Sequence, residues 1–599
     1  MEFEYDYEEE DPADYYEYDY ADLSQEIGFL EDDEEWVEEN EQEGNGEGGL
    51  SDLTAAELLE FCVWPTLSST APHLTALLLW VLIFTLATRS VRVPACVSHA
   101  LSCISGCGLA WQVFGWRSLY LGGQVVAGCL SVAVVSLLSK LRVSVMQRAW
   151  PWLITLLCLA YLLVCELWWV EATVWHSIRG AQMIILMKIL SFAHDTFSTS
   201  TSNDGDKKSL PESPQVKQSS PIVQDDHSVD GETDSLDDTI SANLEKPAFD
   251  NPKIQRPTKA NSVSGDLSAS TVKNSSHADL VNRKIPNARY KSSHSSQSDT
   301  EQVCVAAADA NLSLWCSVGH GVEFCGYLLH PGSLVFGPWC SVDTYRQILQ
   351  PMSWNLAWLL KVFGNLFLSC TCLIASTCLA AWLVPASSAR WSLAYRDALS
   401  FRLSHYFVCH MSEASALLGG LHVGPVARAH HIELPRSMLS VVTYWNVPMH
   451  TFLKKYVFMR VRGAVGVWCA VLCTYSTSAV IHGLNGQLCL VLLSLAVYTH
   501  AEHRLRLKLA SAFSACVLAR PCGLSCTHLN KGYSVSSLTI NTLMGALCMW
   551  HLAYLGVMFD SGPDSVSGYS VGHTLAKWAN LGYASHWVVL ATYVFTSLV

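Results

Sequence analysis

From Gly463 to Ala501 the chain runs 39 residues without an Asp, Glu, Lys or Arg. An α-helix needs ~20 apolar residues to cross a bilayer. The tract therefore predicts two crossings, with the HGLNG stretch that begins at His482 near their joint. His482 is placed close to or within the membrane, where an ionisable side chain is a functional candidate by default. Just upstream, Asn446 is a polar amide between Trp445 and the helix-disrupting Pro448. The rest of the chain reads as scaffold around this Asn and this His.

Half of the 599 residues are hydrophobic and 21 are Trp, too apolar for an ordinary soluble chain. The net charge of −16 misleads, because the first fifty residues hold 22 acidic side chains and no Lys or Arg. The remaining 549 residues carry 31 acids and 37 bases. Acidity thus belongs to residues 1–60, a Tyr-rich leader whose like charges cannot bury a core and which reads as disordered. The 22 Cys lie mostly in apolar runs, where a thiol behaves as a small hydrophobe. No secretory signal opens the chain, so its first hydrophobic span is expected to target it to a membrane.

Four spans follow, at about 73–88, 93–114, 119–138 and 150–164, the first short enough to need its flanks. Trp168, Trp169 and Trp175 fit a membrane interface, and the distribution of Arg and Lys puts the leader in the lumen. Residues 175–195, with Arg179 and Lys188 nine apart, are a helix that is interfacial, re-entrant or a further crossing, or else a surface amphipathic helix. Residues 61–195 form the N-terminal membrane segments. Residues 196–302 are a Ser-rich loop read as disordered, with Ser213-Pro214, Ser220-Pro221 and an Asn274 sequon as weak modification signals. The core is residues 303–599. It opens on a stretch broken by Pro331, Gly332, Gly337 and Pro338, read as a re-entrant loop because broken backbone at membrane depth must be satisfied by protein. Further spans are expected at about 358–384, 398–423, 538–559 and 575–598. The fold class is an all-α polytopic membrane protein with ten to eleven membrane segments, re-entrant pieces included.

His482 and Asn446 lie 36 positions apart, so only tertiary folding could bring them together. A neutral imidazole can take a proton near neutral pH. An Asn amide offers donors and an acceptor without a buried charge, and can orient an imidazole or polarise a carbonyl. Together they suit attack by a hydroxyl on an activated acyl group. A lone His on an apolar face is more often structural, and His99, His405, His410, His450, His500 and His551 also lie in or beside spans. No GxSxG, HExxH, P-loop or GxGxxG pattern points to other chemistry. Cys522, Cys526 and His528 form a loose C-x3-C-x-H pattern without a clear fourth ligand, so the favoured reading is a loop of free or paired thiols, with no metal assigned. Glu502 and Arg504 read as interfacial charges, and Met438, Met449 and Met459 as packing residues.

The stretch ELPRSMLSVVTYWNVPMHTFLKKYVF followed by TYSTSAVIHG resembles the Asn and His signature of the membrane-bound O-acyltransferases. WHSIRGAQMIILMK, LVFGPW, RWSLAYRDALSFRLSHYFVCHMSEA, LLSLAVYTHAEHRLR and HLAYLGVMFD extend the likeness in order over roughly two-thirds of the chain. Within the family it looks like the branch that places palmitoleate on a serine of Wnt proteins. The resemblance implies a helical enzyme of the endoplasmic reticulum membrane with an internal tunnel. His482 matches the family's catalytic His and Asn446 its companion Asn. Trp445, Tyr475 and Ser478 become candidate acyl- or CoA-binding residues. The implied partners are Wnt proteins, acyl-CoA and membrane lipid, with no nucleic acid and no cofactor beyond the palmitoleoyl-CoA substrate. Two other readings stay open: transfer to a small lipid alcohol, and a non-catalytic membrane scaffold.

Overall fold

The computed structural model describes residues 50–89, 93–140, 149–198, 319–350, 355–523, 526–559 and 570–598. Most of the acidic leader and nearly all of the Ser-rich loop, with its phosphorylation and glycosylation signals, lie outside these residues. Among the described residues the secondary structure is helical, with one isolated bridge between Ala515 and Asn530.

Among the described residues, six helices are long and apolar enough to cross a membrane. They include α1 (Ala55–Arg89), the pair α2 (Ala95–Phe114) and α3 (Ser118–Lys140), which count as one apolar stretch, and α4 (Trp150–Trp169). The first span gains the flanks it needed. A Thr54/Glu57 capping box starts the helix inside what composition assigns to the leader, so residues 50–60 form a 3-10 turn and the first helical turns. Leu79, Ile83, Trp111, Leu156 and Phe367 are exposed, the kind of outer surface a helix needs in a bilayer.

The fifth helix, α5 (Ala172–Ser198), is no surface helix. Gln182, Lys188, Ser191 and His194 are buried, and its apolar residues lie in the largest core cluster, which also takes in α2, α3, α4, Leu421, Phe452 and Ile481. Trp168 and Trp169 are exposed, as interfacial indoles should be, but Trp175 is 3% exposed and belongs to this core. The N-terminal membrane segments and the C-terminal half therefore share one core.

The helix at 319–328 (α6) gives way to irregular buried backbone at Pro331–Ser333. Buried carbonyls need donors. The Lys188 ammonium supplies them, reaching Tyr327 O at 2.9 Å, Leu328 O at 3.2 Å and Ser333 Oγ at 3.0 Å. Ser415 donates to Gly332 O at 3.1 Å, and the Tyr327 hydroxyl to Cys340 O at 2.6 Å. The break is thus satisfied from neighbouring helices, as the sequence required.

Next come α7 (Leu356–Leu383), α8 (Arg390–Leu418), α9 (Met438–Trp445) and α10 (Val447–Ile481). They are followed by α11 (Gly486–Ala512) and α12 (Val535–Gly556). A kink at Gly466 (φ 79°) divides α10. The HGLNG joint falls between α10 and α11, but α11 is not among the six apolar helices, because its second half carries Glu502, Arg504, Arg506 and Lys508. The last expected span is divided at Gly582 (φ 64°) and Tyr583 (φ 50°) into α13 (Val571–Asn580) and the 15-residue α14 (Ala584–Leu598). A Cys62–Cys378 disulfide, 316 residues apart in sequence, joins α1 to α7.

Candidate active site

Asn446 ends α9 and caps the N-terminus of α10, with extended backbone (φ −143°, ψ 92°). Pro448 sits in the first turn of α10, where its missing N–H costs nothing. The Asn446 carbonyl oxygen Oδ1 accepts the Met449 N–H at 3.0 Å. This cap fixes the amide plane and leaves Nδ2 as the group available to a reactant. Backbone bonds hold the junction on both sides, Arg428 N to Tyr444 O at 3.0 Å and Val447 N to Val426 O at 2.8 Å.

His482 caps the C-terminus of α10 and is half-buried. Gly483 follows at φ +94°, the left-handed conformation that ends helices and that glycine adopts without strain. The α4 side chain Glu166 accepts the Leu484 N–H through Oε1 at 2.5 Å, docking the turn on the N-terminal segments. Arg179 of α5 lies against the same turn. Tyr475, Ser478 and His482 follow at i, i+3 and i+7, on one helix face. Ser478 is buried and its carbonyl accepts the His482 N–H at 3.1 Å, while the Tyr475 hydroxyl pairs with Thr499 of α11.

Among the described residues no hydrogen bond joins His482 to Asn446. His405 of α8 lies beside Trp445, the residue before Asn446. It is within Coulombic reach of His482, stacks on Trp445 (centroids 4.4 Å apart, planes at 13°), and its Nε2 is 2.9 Å from Trp445 O. Phe401 and Phe559 continue the stack. Folding therefore brings the two expected residues to one region, with Trp445 committed on one face to His405.

Glu502 is not an interfacial charge. It is 9% exposed and its Oε2 accepts the Met438 N–H at 2.7 Å, where a carboxylate meets the positive end of α9. Arg506, fully buried, pairs with Glu502 Oε1 at 2.7 Å and donates to Val517 O, Asn541 Oδ1 and Arg436 O. Arg402 forms a bidentate pair with Glu433 at 2.8 and 3.1 Å, joined by the Tyr406 hydroxyl at 2.7 Å. Both networks brace the segment that leads into Asn446. Arg504 instead lies over the Tyr593 ring at 5.0 Å. Met438 and Met449 pack in the core as expected, whereas Met459 is exposed. A small cavity lies between α11, α12 and α14, walled by Met438, Tyr498, Glu502, Cys548, His551 and Val589.

Buried polar networks brace the chain around His482 and the capping Asn446, and the family of the chain is given by comparison with known proteins. The profile of the MBOAT, membrane-bound O-acyltransferase family, matches residues 320–523, a segment holding both residues. The chain is 41% identical over 311 residues to the protein-serine O-palmitoleoyltransferase porcupine of Homo sapiens, covering 46% of this chain and 67% of that one. It is 40% identical to the protein of the same name from Mus musculus, with the same coverage. The Anopheles gambiae porcupine is 34% identical over 308 residues, covering 46% of this chain and 62% of that one. The chain belongs to the membrane-bound O-acyltransferase family and is an acyltransferase.

Proposed function

We propose that this protein is a protein-serine O-palmitoleoyltransferase that moves a monounsaturated acyl group from palmitoleoyl-CoA to a serine of Wnt proteins at the endoplasmic reticulum membrane. The observation that carries this reading is the 41% identity to a human protein of that name over 67% of its length. In the reaction His482 takes the proton of the serine hydroxyl, and the oxygen attacks the thioester carbonyl. The tetrahedral intermediate collapses, the ester forms, and coenzyme A leaves as a thiolate that the His482 proton neutralises. Asn446 Nδ2 is the donor for the developing oxyanion or for the imidazole. Trp445, Tyr475 and Ser478 line the acyl or CoA path in this reading.

The arrangement around the site extends the same proposal. The fatty chain is held in an internal tunnel among ten to eleven membrane segments, each buried CH₂ contributing ~0.8 kcal/mol. The Cys62–Cys378 pair supports a lumenal position for the leader's end of α1, since disulfides persist in oxidising compartments. The test is reconstitution of purified protein with palmitoleoyl-CoA and a Wnt-derived serine peptide, followed by mass spectrometry. Ester formation on the serine is expected. A protein that acylates a small lipid alcohol and leaves the peptide untouched would overturn the assignment of acceptor.

A further inference from the structure

We propose a structural zinc site formed by Cys516, Cys522, Cys526 and His528, in the loop between α11 and α12. The sequence pattern C-x3-C-x-H lacks a fourth ligand. The fold supplies it, because a turn after α11 and the Ala515–Asn530 bridge return the chain so that Cys516 faces the motif. The Cys516 N–H donates to Asn530 O at 2.9 Å and the Asn530 N–H to Ser514 O at 2.8 Å, which closes the loop at its base. The three sulfurs and one ring nitrogen all lie within 4.8 Å of one another. Leu524 and Ser525, between two of the ligands, lie outside the described residues.

The spacings come close to those of a tetrahedron around zinc. With Zn–S of ~2.3 Å and Zn–N of ~2.0 Å, tetrahedral edges come to ~3.8 Å for S···S and ~3.5 Å for S···N. Here Cys516 Sγ is 3.4 Å from Cys526 Sγ and 3.8 Å from His528 Nδ1, and Cys522 Sγ is 3.7 Å from the same nitrogen. A Cys516–Cys526 disulfide would need the sulfurs at ~2.05 Å. One nitrogen facing two sulfurs is the arrangement expected of a shared metal.

The surroundings suit the charge. Three thiolates and one neutral imidazole around Zn²⁺ leave one net negative charge, and Lys531 Nζ sits 3.5 Å from Cys526 Sγ while also donating to Cys526 O. Such outer partners tune metal affinity. Arg436 donates to Cys516 O at 2.8 Å and Leu518 O at 3.0 Å, Asn541 Nδ2 to Cys516 O at 3.2 Å, and Ser437 Oγ to Ala519 O at 3.1 Å. Cys516 is buried and the other three ligands are half-buried, a closed four-coordinate set with no position open for substrate. The metal's role is to hold the loop that clamps Arg436 and Ser437, the start of the segment ending at Asn446. Binding deprotonates the three thiols and releases their protons.

Elemental analysis of the full chain, purified in detergent through a tag without histidine, should give about one zinc per chain. Cobalt exchanged into the same protein should show thiolate charge-transfer and tetrahedral ligand-field bands. Cys522→Ser and Cys526→Ser should lose the metal, His528→Cys should keep it, and Cys469→Ser, outside the cluster, should be unchanged. Lys531→Met should weaken zinc affinity by ~10–100-fold without changing the stoichiometry at saturation. The cobalt spectrum of the wild-type chain needs no variant to fold. Wild-type protein without zinc or a cobalt–thiolate band, a Cys516–Cys526 disulfide in non-reduced peptide maps, or zinc retained in both Ser variants would each overturn the site.

Discussion

In the proposed mechanism His482 and Asn446 carry the chemistry and Gly483 shapes the turn after His482, and each has its own signature. His482→Ala should reduce acyl transfer by ~10²–10⁴ while the protein still accumulates in membranes, since that is the range a positioned base contributes. Asn446→Ala should behave differently from a lost binding group. A donor used only in the transition state lowers kcat and kcat/KM together, whereas a uniform binding group mainly raises KM. Removing one oxyanion-type donor costs ~2.7–4 kcal/mol. Titrating palmitoleoyl-CoA against the purified variant separates the two, and a defect that vanishes at saturating donor would demote Asn446 to a binding residue. Asn446→Asp should be no better, because a buried carboxylate opposes developing negative charge. Gly483→Ala probes the turn itself. The left-handed conformation costs an L-residue ~1–2 kcal/mol, and the new Cβ would lie 2.9 Å from Glu166 Oε1. Slower transfer with a lowered melting temperature is the expected result.

At the scale of elements, the sequence marked the helices and the joint but not what braces them. The HGLNG turn and the Pro/Gly-broken stretch were legible because backbone-specific residues announce them. Glu502 was misread because an acid at the end of an apolar tract looks interfacial until its partner, the α9 N-terminus 64 residues earlier, is known. Cys516 was missed for the same reason, since a ligand brought in by chain return leaves no local spacing. Lys188 was visible only as an odd cation in an apolar helix. Lys188→Met should leave the Tyr327 and Leu328 carbonyls buried without this donor, at ~1–3 kcal/mol for each group left unsatisfied. Thermal unfolding in detergent measures the loss. At the α8–α12 crossing, a Cβ on Gly556 would come within 2.7 Å of Ala398 Cβ, so Gly556→Val should separate the two helices and lower stability more than Gly424→Val, whose site is open.

For the whole molecule, the N-terminal membrane segments and the C-terminal half contribute to one hydrophobic core through α5. Composition could not reveal this, since apolar faces meeting lipid and apolar faces meeting protein look alike in sequence. The acidic residues 1–49 and the Ser-rich stretch 200–300 lie outside the family likeness and outside the described residues. Deleting either should leave transfer by purified protein largely intact, since loop-closure entropy depends weakly on length. Loss of transfer at unchanged protein amount would make the deleted segment part of the mechanism. In the proposed reaction His482 drives acylation of a Wnt serine. Intact-mass spectrometry of a Wnt protein co-expressed with the wild-type chain or with His482→Ala, at matched membrane abundance, tests it most directly. A palmitoleoyl adduct on serine is expected with the wild-type chain and none with the variant; equal adduct in both would rule out His482 as the base.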